Sequence, residues 1–330
     1  MRPRFVFALL AAGGRRPVSR GALLSLVVAA CGSSPGASDV DAQTATDAGA
    51  DAAGDAPACG LRGGVRGKTS RTIEAGGLTR TYHVYLPAGD PLAPMPLVFV
   101  HHGYTMSGQQ MFDITEYAAL ADDEHVALVF PDGQGGPLSS DAPWNVGSDV
   151  CASSIGAPPI APGDDFAMLD AITADLAEDQ CLDRQHVYVT GFSMGGYFSH
   201  HAGCTRPDIR GIAPHSGGTH DLTACASANK PVILFHGTGD TLVPASCSTS
   251  AATAWAQHNG CATTTTSRTV TGGTCVRYDG CPAGGQVELC TFAAMGHCWA
   301  GGALTAGVYA CPAYASATQL AWQFFKTDAW

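Results

Sequence analysis

The sequence predicts an α/β fold in which a mostly parallel sheet is covered by helices on both faces. Three observations carry that prediction. Uninterrupted apolar runs, such as Pro96-Leu97-Val98-Phe99-Val100 and Val126-Ala127-Leu128-Val129-Phe130, show the pattern of strands buried on both sides. Such runs alternate with segments whose apolar residues fall at helical spacing. One of the later runs enters a turn of small residues around a serine and leaves it as a helix.

The elements follow in order. Residues 81–87 (TYHVYLP) alternate apolar and polar side chains and predict an early, half-buried strand. Residues 96–100 predict a central strand, 113–124 a helix, and 126–130 a second central strand ended by Pro131-Asp132-Gly133. Asp164 and Asp165 open a helix whose apolar residues are Phe166, Leu169, Ile172 and Leu176, with the acids at the positive end of the dipole. Strands are then expected at 186–190, 209–213 and 231–236, and helical stretches at 194–203 and 253–259. Residues 59–330 read as one domain, without internal repeat and without a membrane-spanning run.

Composition narrows the function classes. Of the 330 residues 45% are hydrophobic and 14% charged, enough for a packed core and too little charge for a disordered chain. The formal net charge of −11 argues against nucleic acid and other polyanionic partners. Thirteen cysteines occur without a CxxC or a zinc-knuckle spacing, so they read as disulfides made in an oxidising compartment.

The N-terminal segment agrees with export. Arg2, Arg4, Arg15, Arg16 and Arg20 form a basic lead, followed by a short apolar run at 21–30. Val28-Ala29-Ala30-Cys31 resembles the lipobox of bacterial lipoproteins, in which the cysteine is lipidated and becomes the mature N-terminus. Residues 1–31 are therefore expected to be a lipoprotein-type signal, with an ordinary secretory signal as the alternative. Residues 32–58 are Ala, Asp, Gly, Ser and Thr with few large apolar side chains, and are expected to be a disordered tether. The expectation is an exported protein, surface-anchored or secreted, that meets the membrane only through its lipid. Without Cys31, twelve cysteines remain, an even number that fits complete pairing.

The chemistry points to one constellation. Gly191-Phe192-Ser193-Met194-Gly195 is a G-x-S-x-G motif placed after a strand and before a helix, the context a nucleophile elbow needs. A serine hydroxyl needs a base, and the base needs an orienting acid. In α/β-hydrolase folds these follow in the order serine, acid, histidine. Asp240 lies just past the strand at 231–236 and fits the acid better than Asp221, which no strand delivers. His297, in a loop beside Gly296 and Cys298, fits the base better than His258 in its helical stretch. His101-His102 and His200-His201 read as structural. No metal-binding spacing occurs, and no cofactor is implied. The oxyanion hole is expected from the backbone N–H groups of Met194 and Tyr104, with Thr105 as the alternative to Tyr104. Tyr104, Thr105, Trp144 and Trp299 are candidate contacts of the acyl group.

The chain resembles the polyhydroxybutyrate depolymerase and feruloyl esterase branch of secreted α/β-hydrolases. The likeness runs from about Cys59 to about Gly302. It rests on H-G at 102–103, W-N-V-G at 144–147, D-D at 164–165, C-L-D at 181–183 and G-F-S-M-G-G at 191–196. It continues through G-C at 203–204, N-G-C at 259–261, Y-D-G-C at 278–281 and G-H at 296–297. Gly103-Tyr104-Thr105 and Ser193-Met194 are also similar to segments of cutinase-like polyester hydrolases. The resemblance implies a serine carboxylester hydrolase with Ser193, Asp240 and His297 as its triad. Hydroxycinnamoyl esters are the first substrate reading and hydroxyalkanoate or polyester chains the second. A non-catalytic surface lipoprotein that binds glycan or polymer is the reading from another class. The cysteines at 261–290 sit in a Thr- and Gly-rich stretch before His297, where local bridges Cys261–Cys275 and Cys281–Cys290 are expected. Cys298 is expected to pair with Cys311 or with Cys247.

Overall fold

The computed structural model describes residues 59–330, apart from 135–141, 149, 155, 157–162, 220 and 228. The signal and tether expected at 1–31 and 32–58, and Cys31 with them, lie outside the described residues. Among the described residues no helix is long and apolar enough to cross a membrane.

The expected strands form, three with wider bounds and three shifted by one or two residues. Strands β1 (Gly67–Ala75) and β2 (Leu78–Leu86) make an antiparallel hairpin, and β2 pairs onward with β4 (Ala127–Pro131). Strand β3 (Met95–His101) lies between β4 and β5 (Leu182–Phe192), parallel to both. Strands β6 (Gly211–His215) and β7 (Val232–Gly237) extend the parallel part. Three more strands, β8 (Thr265–Val270), β9 (Gly273–Tyr278) and β10 (Val287–Phe292), finish the sheet. Its order is β1-β2-β4-β3-β5-β6-β7-β10-β9-β8. A short parallel pair, β11 (Trp299–Ala300) and β12 (Ala310–Cys311), stands apart from it.

Strand periodicity splits the core in two. Leu97, Phe99, Val189 and Leu234 face a cluster with Met168, Ile172, Phe198 and Trp255. Val98, Val100, Ile233 and Phe235 face the other cluster, with Met111, Leu120, Trp322 and Phe325. So α3 (Asp165–Asp179), α4 (Met194–Thr205) and α5 (Ala245–His258) cover one face. Helices α1 (Gly108–Thr115), α2 (Tyr117–Glu124) and α6 (Ala317–Asp328) cover the other. The expected helix at 113–124 is in fact two, because Glu116 takes a left-handed conformation at φ 56° and breaks it. Asp164 caps α3 by accepting the Ala167 N–H at 2.9 Å.

All twelve cysteines from Cys59 onward are paired, but two expected partners are exchanged. The bridges are Cys59–Cys181, Cys151–Cys247, Cys204–Cys225, Cys261–Cys281, Cys275–Cys290 and Cys298–Cys311. The stretch at 261–290 is not a loop that needs local clips. It forms strands, and their register chooses the partners: Cys275 lies directly opposite Cys290 in the antiparallel β9–β10 ladder. Cys261 and Cys281 flank the open end of the β8–β9 hairpin, where the Ala262 N–H donates to the Asp279 carbonyl at 2.8 Å and draws the two chains together. Cys261–Cys275 is excluded because Cys275 faces Arg268 across that hairpin.

Candidate active site

The serine stands on a strained turn. Between β5 and α4, Ser193 has φ 56° and ψ −116°, a conformation that a residue with a Cβ rarely adopts. The surroundings hold it there. Its N–H donates to the His215 carbonyl at 2.9 Å, and its own carbonyl accepts the Gly196 N–H at 2.8 Å. The small residues of the motif serve close approach. A Cβ on Gly195 would stand 2.2 Å from the His101 carbonyl oxygen, so α4 could not start against β3 with any other residue there.

Asp240 and His297 meet because the strands before their loops, β7 and β10, pair in parallel as far as Gly237 and Phe292. The loop after β7 and the loop after β10 are tied by backbone. Thr238 N–H donates to the Phe292 carbonyl and Gly239 N–H to the Met295 carbonyl, both at 2.9 Å. The Thr238 hydroxyl accepts the Ala294 N–H at 2.9 Å. His297 Nδ1 then lies 2.7 Å from Asp240 Oδ2, with the imidazole 4.7 Å, centroid to centroid, from the Phe192 ring. Asp240 Oδ1 accepts the Leu242 and Val243 N–H groups, each at 2.9 Å. Burial would raise the Asp240 carboxyl. Hydrogen bonds from His236, His297 and the backbone outweigh it and hold the group well below the usual carboxylate range. Asp240 is therefore an anion at neutral pH and can orient the imidazole through Nδ1.

The loop after β3 is held from behind. Trp144 donates its indole N–H to the His102 carbonyl at 2.9 Å. The His102 ring accepts the Gly133 N–H at Nε2, 2.8 Å away, and its Nδ1 faces the Gly103 carbonyl at 2.6 Å. Ala142 N–H donates to the Tyr104 carbonyl at 3.1 Å. The segment carrying Trp144 is itself tied down, because Asn145 N–H donates to Asp165 at 2.6 Å and Asp165 is paired with buried Arg80 at 2.8 Å. The three motifs H-G, W-N-V-G and D-D thus form one connected support for Gly103, Tyr104 and Thr105.

These elements enclose a cavity of about 390 Å³. Ser193, His297, Met194, Tyr104 and Thr105 all line it. Trp144 and Trp299 do not. Trp144 is fully buried behind the loop after β3. Trp299 is buried in β11, stacked on His215 with its N–H toward the Thr318 hydroxyl. Both are corrected from substrate contacts to framework residues. Sequence reasoning missed Phe192, Tyr197, Leu242, Val243 and Tyr309, which supply most of the apolar wall. Phe192, Leu242 and Val243 carried a signal, since each lies within three residues of an expected triad member. Of the passed-over groups, Asp221 caps its own loop through Thr223, and His258 faces the Ser227 carbonyl at the end of α5. Among the described residues, the grouping of ligand-type atoms at Cys275, Glu288 and Cys290 has its two sulfurs bonded to each other.

Comparison with known proteins agrees with this architecture. Residues 164–274 match the family model described as phospholipase/carboxylesterase. Feruloyl esterase B of Piromyces equi is 28% identical over 232 residues, 63% of this chain and 40% of that protein. Feruloyl esterase D of Neurospora crassa is 28% identical over 245 residues, 72% of this chain and 80% of that protein. The chain spans less than half the length of several of the curated relatives it matches. Among solved structures, an acetyl xylan esterase from Aspergillus awamori superposes with a TM-score of 0.54 at 14% identity, covering 69% of this chain and 94% of that one. Strand order, the strained serine turn and that superposition make this chain an α/β-hydrolase by fold, similar in sequence to feruloyl esterases.

Proposed function

We propose that the chain is a serine carboxylester hydrolase acting on hydroxycinnamoyl esters. The observation that carries this reading is the Asp240–His297 hydrogen bond, set on the same cavity as a serine in a strained turn. The sequence likeness to feruloyl esterases supports the acyl group. So does a wall of Tyr104, Phe192, Tyr197 and Tyr309 with Leu242 and Val243, which suits a flat aromatic acid.

Asp240 holds the His297 imidazole with Nδ1–H, leaving Nε2 as the base. His297 takes the Ser193 proton as Oγ attacks the ester carbonyl, and the N–H groups of Tyr104 and Met194 receive the oxyanion. His297 returns the proton to the departing alcohol, leaving an acyl-serine. Water enters with His297 again as base, and the free acid leaves with Ser193 restored. The six bridges fit folding in an oxidising compartment. Export with lipidation at Cys31 and a tether at 32–58 would hold the catalytic domain at a membrane surface. Cys31→Ser should then move the protein to the soluble fraction.

One screen tests the reading: the protein against methyl ferulate, acetylated xylan and hydroxybutyrate trimer. Turnover of methyl ferulate above the others is the expected result. Preference for the trimer would move the substrate to polyesters. Binding of a glycan or polymer with no turnover of any ester would leave a binding protein instead.

A further inference from the structure

Asp240 is surrounded by more donors than a triad acid needs. His236 is the penultimate residue of β7, four residues before Asp240, and is fully buried. Its Nε2 lies 2.9 Å from the Val243 carbonyl and 3.4 Å from Asp240 Oδ2, the oxygen that also serves His297. Its Nδ1 lies 2.5 Å from the Ser248 hydroxyl on α5, and Ser248 lies 3.0 Å from the Gly217 carbonyl. A carbonyl and a carboxylate can only accept, so Nε2 must carry a hydrogen. Ser248 then fixes the rotation of the ring.

Taking Asp240 as the acid of the triad proposed above, we infer that His236 is a positioning residue. Its Nε2–H donates to the Val243 carbonyl at 2.9 Å and, 3.4 Å away, leans on the oxygen that Asp240 shares with His297. Asp240 therefore has two backbone N–H groups on one oxygen, and on the other the His297 bond with the His236 ring edge beside it. That pattern fixes both the rotation of the carboxylate and its charge, and with them the direction in which His297 points. It also divides Oδ2 between two rings, which limits how strongly Asp240 stabilises a protonated His297. The other titratable groups facing this cluster are His215 on β6 and Tyr197 on α4. Burial, reinforced by His236 and His297, holds the His215 imidazole well below its ordinary value. Burial raises the Tyr197 hydroxyl, so both stay neutral through the working range.

The test is a pair of substitutions read by pH profile. His236→Leu removes the donor. It should lower kcat by about 10²-fold through misplacement of the base. It should also shift the acid limb of kcat/KM upward by about one pH unit, because Asp240 then serves His297 alone. His236→Gln keeps an N–H near the same place and should restore most of kcat and the original limb. A Leu variant with wild-type kcat and limb but a lower Tm would show that His236 only fills space. Should neither variant fold, nitrogen-15 NMR of histidine-labelled, unsubstituted protein gives the answer directly: the Nε2 of His236 must be protonated, and a bare Nε2 overturns the assignment. An unsubstituted protein that hydrolyses no ester would sink the proposed function and leave the protonation of His236 a separate result.

Discussion

A Cβ on Gly237 would lie 2.1 Å from the Met295 carbonyl oxygen. The acid loop and the histidine loop are therefore in backbone contact, with no room for a side chain between them. Gly237→Ala must push these loops apart just where their hydrogen bonds set the Asp240–His297 distance. The expected outcome is a fall in kcat of about 10²-fold, with KM much less affected, because the displaced groups act on the reacting bond. Steady-state kinetics on methyl ferulate checks it. A variant with full kcat would mean that the loops tolerate separation.

Ser193→Ala removes the proposed nucleophile and leaves the fold. The backbone bonds at 193 do not involve the hydroxyl, so circular dichroism and Tm should stay close to those of the parent. Turnover should drop by at least ~10³-fold. A fluorophosphonate probe should label the parent and not the variant. Retention of a tenth of the activity would remove Ser193 from its proposed role.

Trp144→Phe tests the support behind the loop proposed to receive the oxyanion. An aromatic ring stays, smaller by the pyrrole part, so much of the packing against His101 and Phe198 is kept, while the N–H to the His102 carbonyl is lost. Leaving that buried acceptor unpaired should lower kcat about tenfold. Affinity for a trifluoromethyl ketone that mimics the oxyanion should fall in parallel, and affinity for the product acid should not. Equal losses for both ligands would point to a damaged cavity instead of a displaced loop.

Much of the site was legible because it sits at strand ends. Ser193 follows β5 and Asp240 follows β7, and each strand announces itself as an apolar run before the functional residue. His297 was legible by elimination. Helix α1 was obscured because its one-turn Ser107–Gln110 capping box opens a stretch with few apolar residues, and the break at Glu116 has no Gly or Pro to mark it. Trp144 and Trp299 misled because aromatic side chains near a catalytic motif serve as core and as contact with equal ease. Only burial separates the two. The bridges at 261–290 differ from expectation because β8 is polar and exposed at the sheet edge and β9 is a short mixed strand without clean alternation, so their register could not be inferred from hydrophobic pattern.

Buried neutral histidines set the acid limit of stability. Burial pushes His101 down to about 3 and His102 down to about 4 from an ordinary 6.5. In the unfolded chain both take up a proton near the ordinary value, whereas in the folded chain they resist it. Below that value the unfolded state therefore binds more protons, and stability is lost as pH falls from about 6.5 toward 4. Asp240 acts in a lower window. Its folded value is depressed, so its contribution is full above the ordinary carboxylate value of about 3.9 and is lost as pH falls further. Urea unfolding at a series of pH values should show decline beginning near 6.5. His102→Gln should make that slope shallower between 6.5 and 4. A flat profile through this interval would show that the loop histidines charge freely in the folded protein.

The bridges near His297 provide the final test, and strand register makes it specific. Cys275–Cys290 joins β9 to β10, and β10 is the strand that runs into the histidine loop. Cys298–Cys311 closes the segment just after His297 and holds β11 beside β12. Closing loops of this size contributes about 3 kcal/mol each in the chain-entropy model. Cys275 and Cys290 are fully buried and Cys298 nearly so, while Cys261 and Cys281 are half-exposed. Limited reduction should therefore open Cys261–Cys281 first, with little effect on kcat because that bridge lies at the far end of the β8–β9 hairpin. Activity should fall only when Cys298–Cys311 or Cys275–Cys290 opens. Peptide mapping after timed alkylation gives the order of opening, and kinetics on the same samples gives its consequence. Loss of activity in step with the opening of Cys261–Cys281 would mean that this hairpin, and not the paired segment after His297, sets the position of the base.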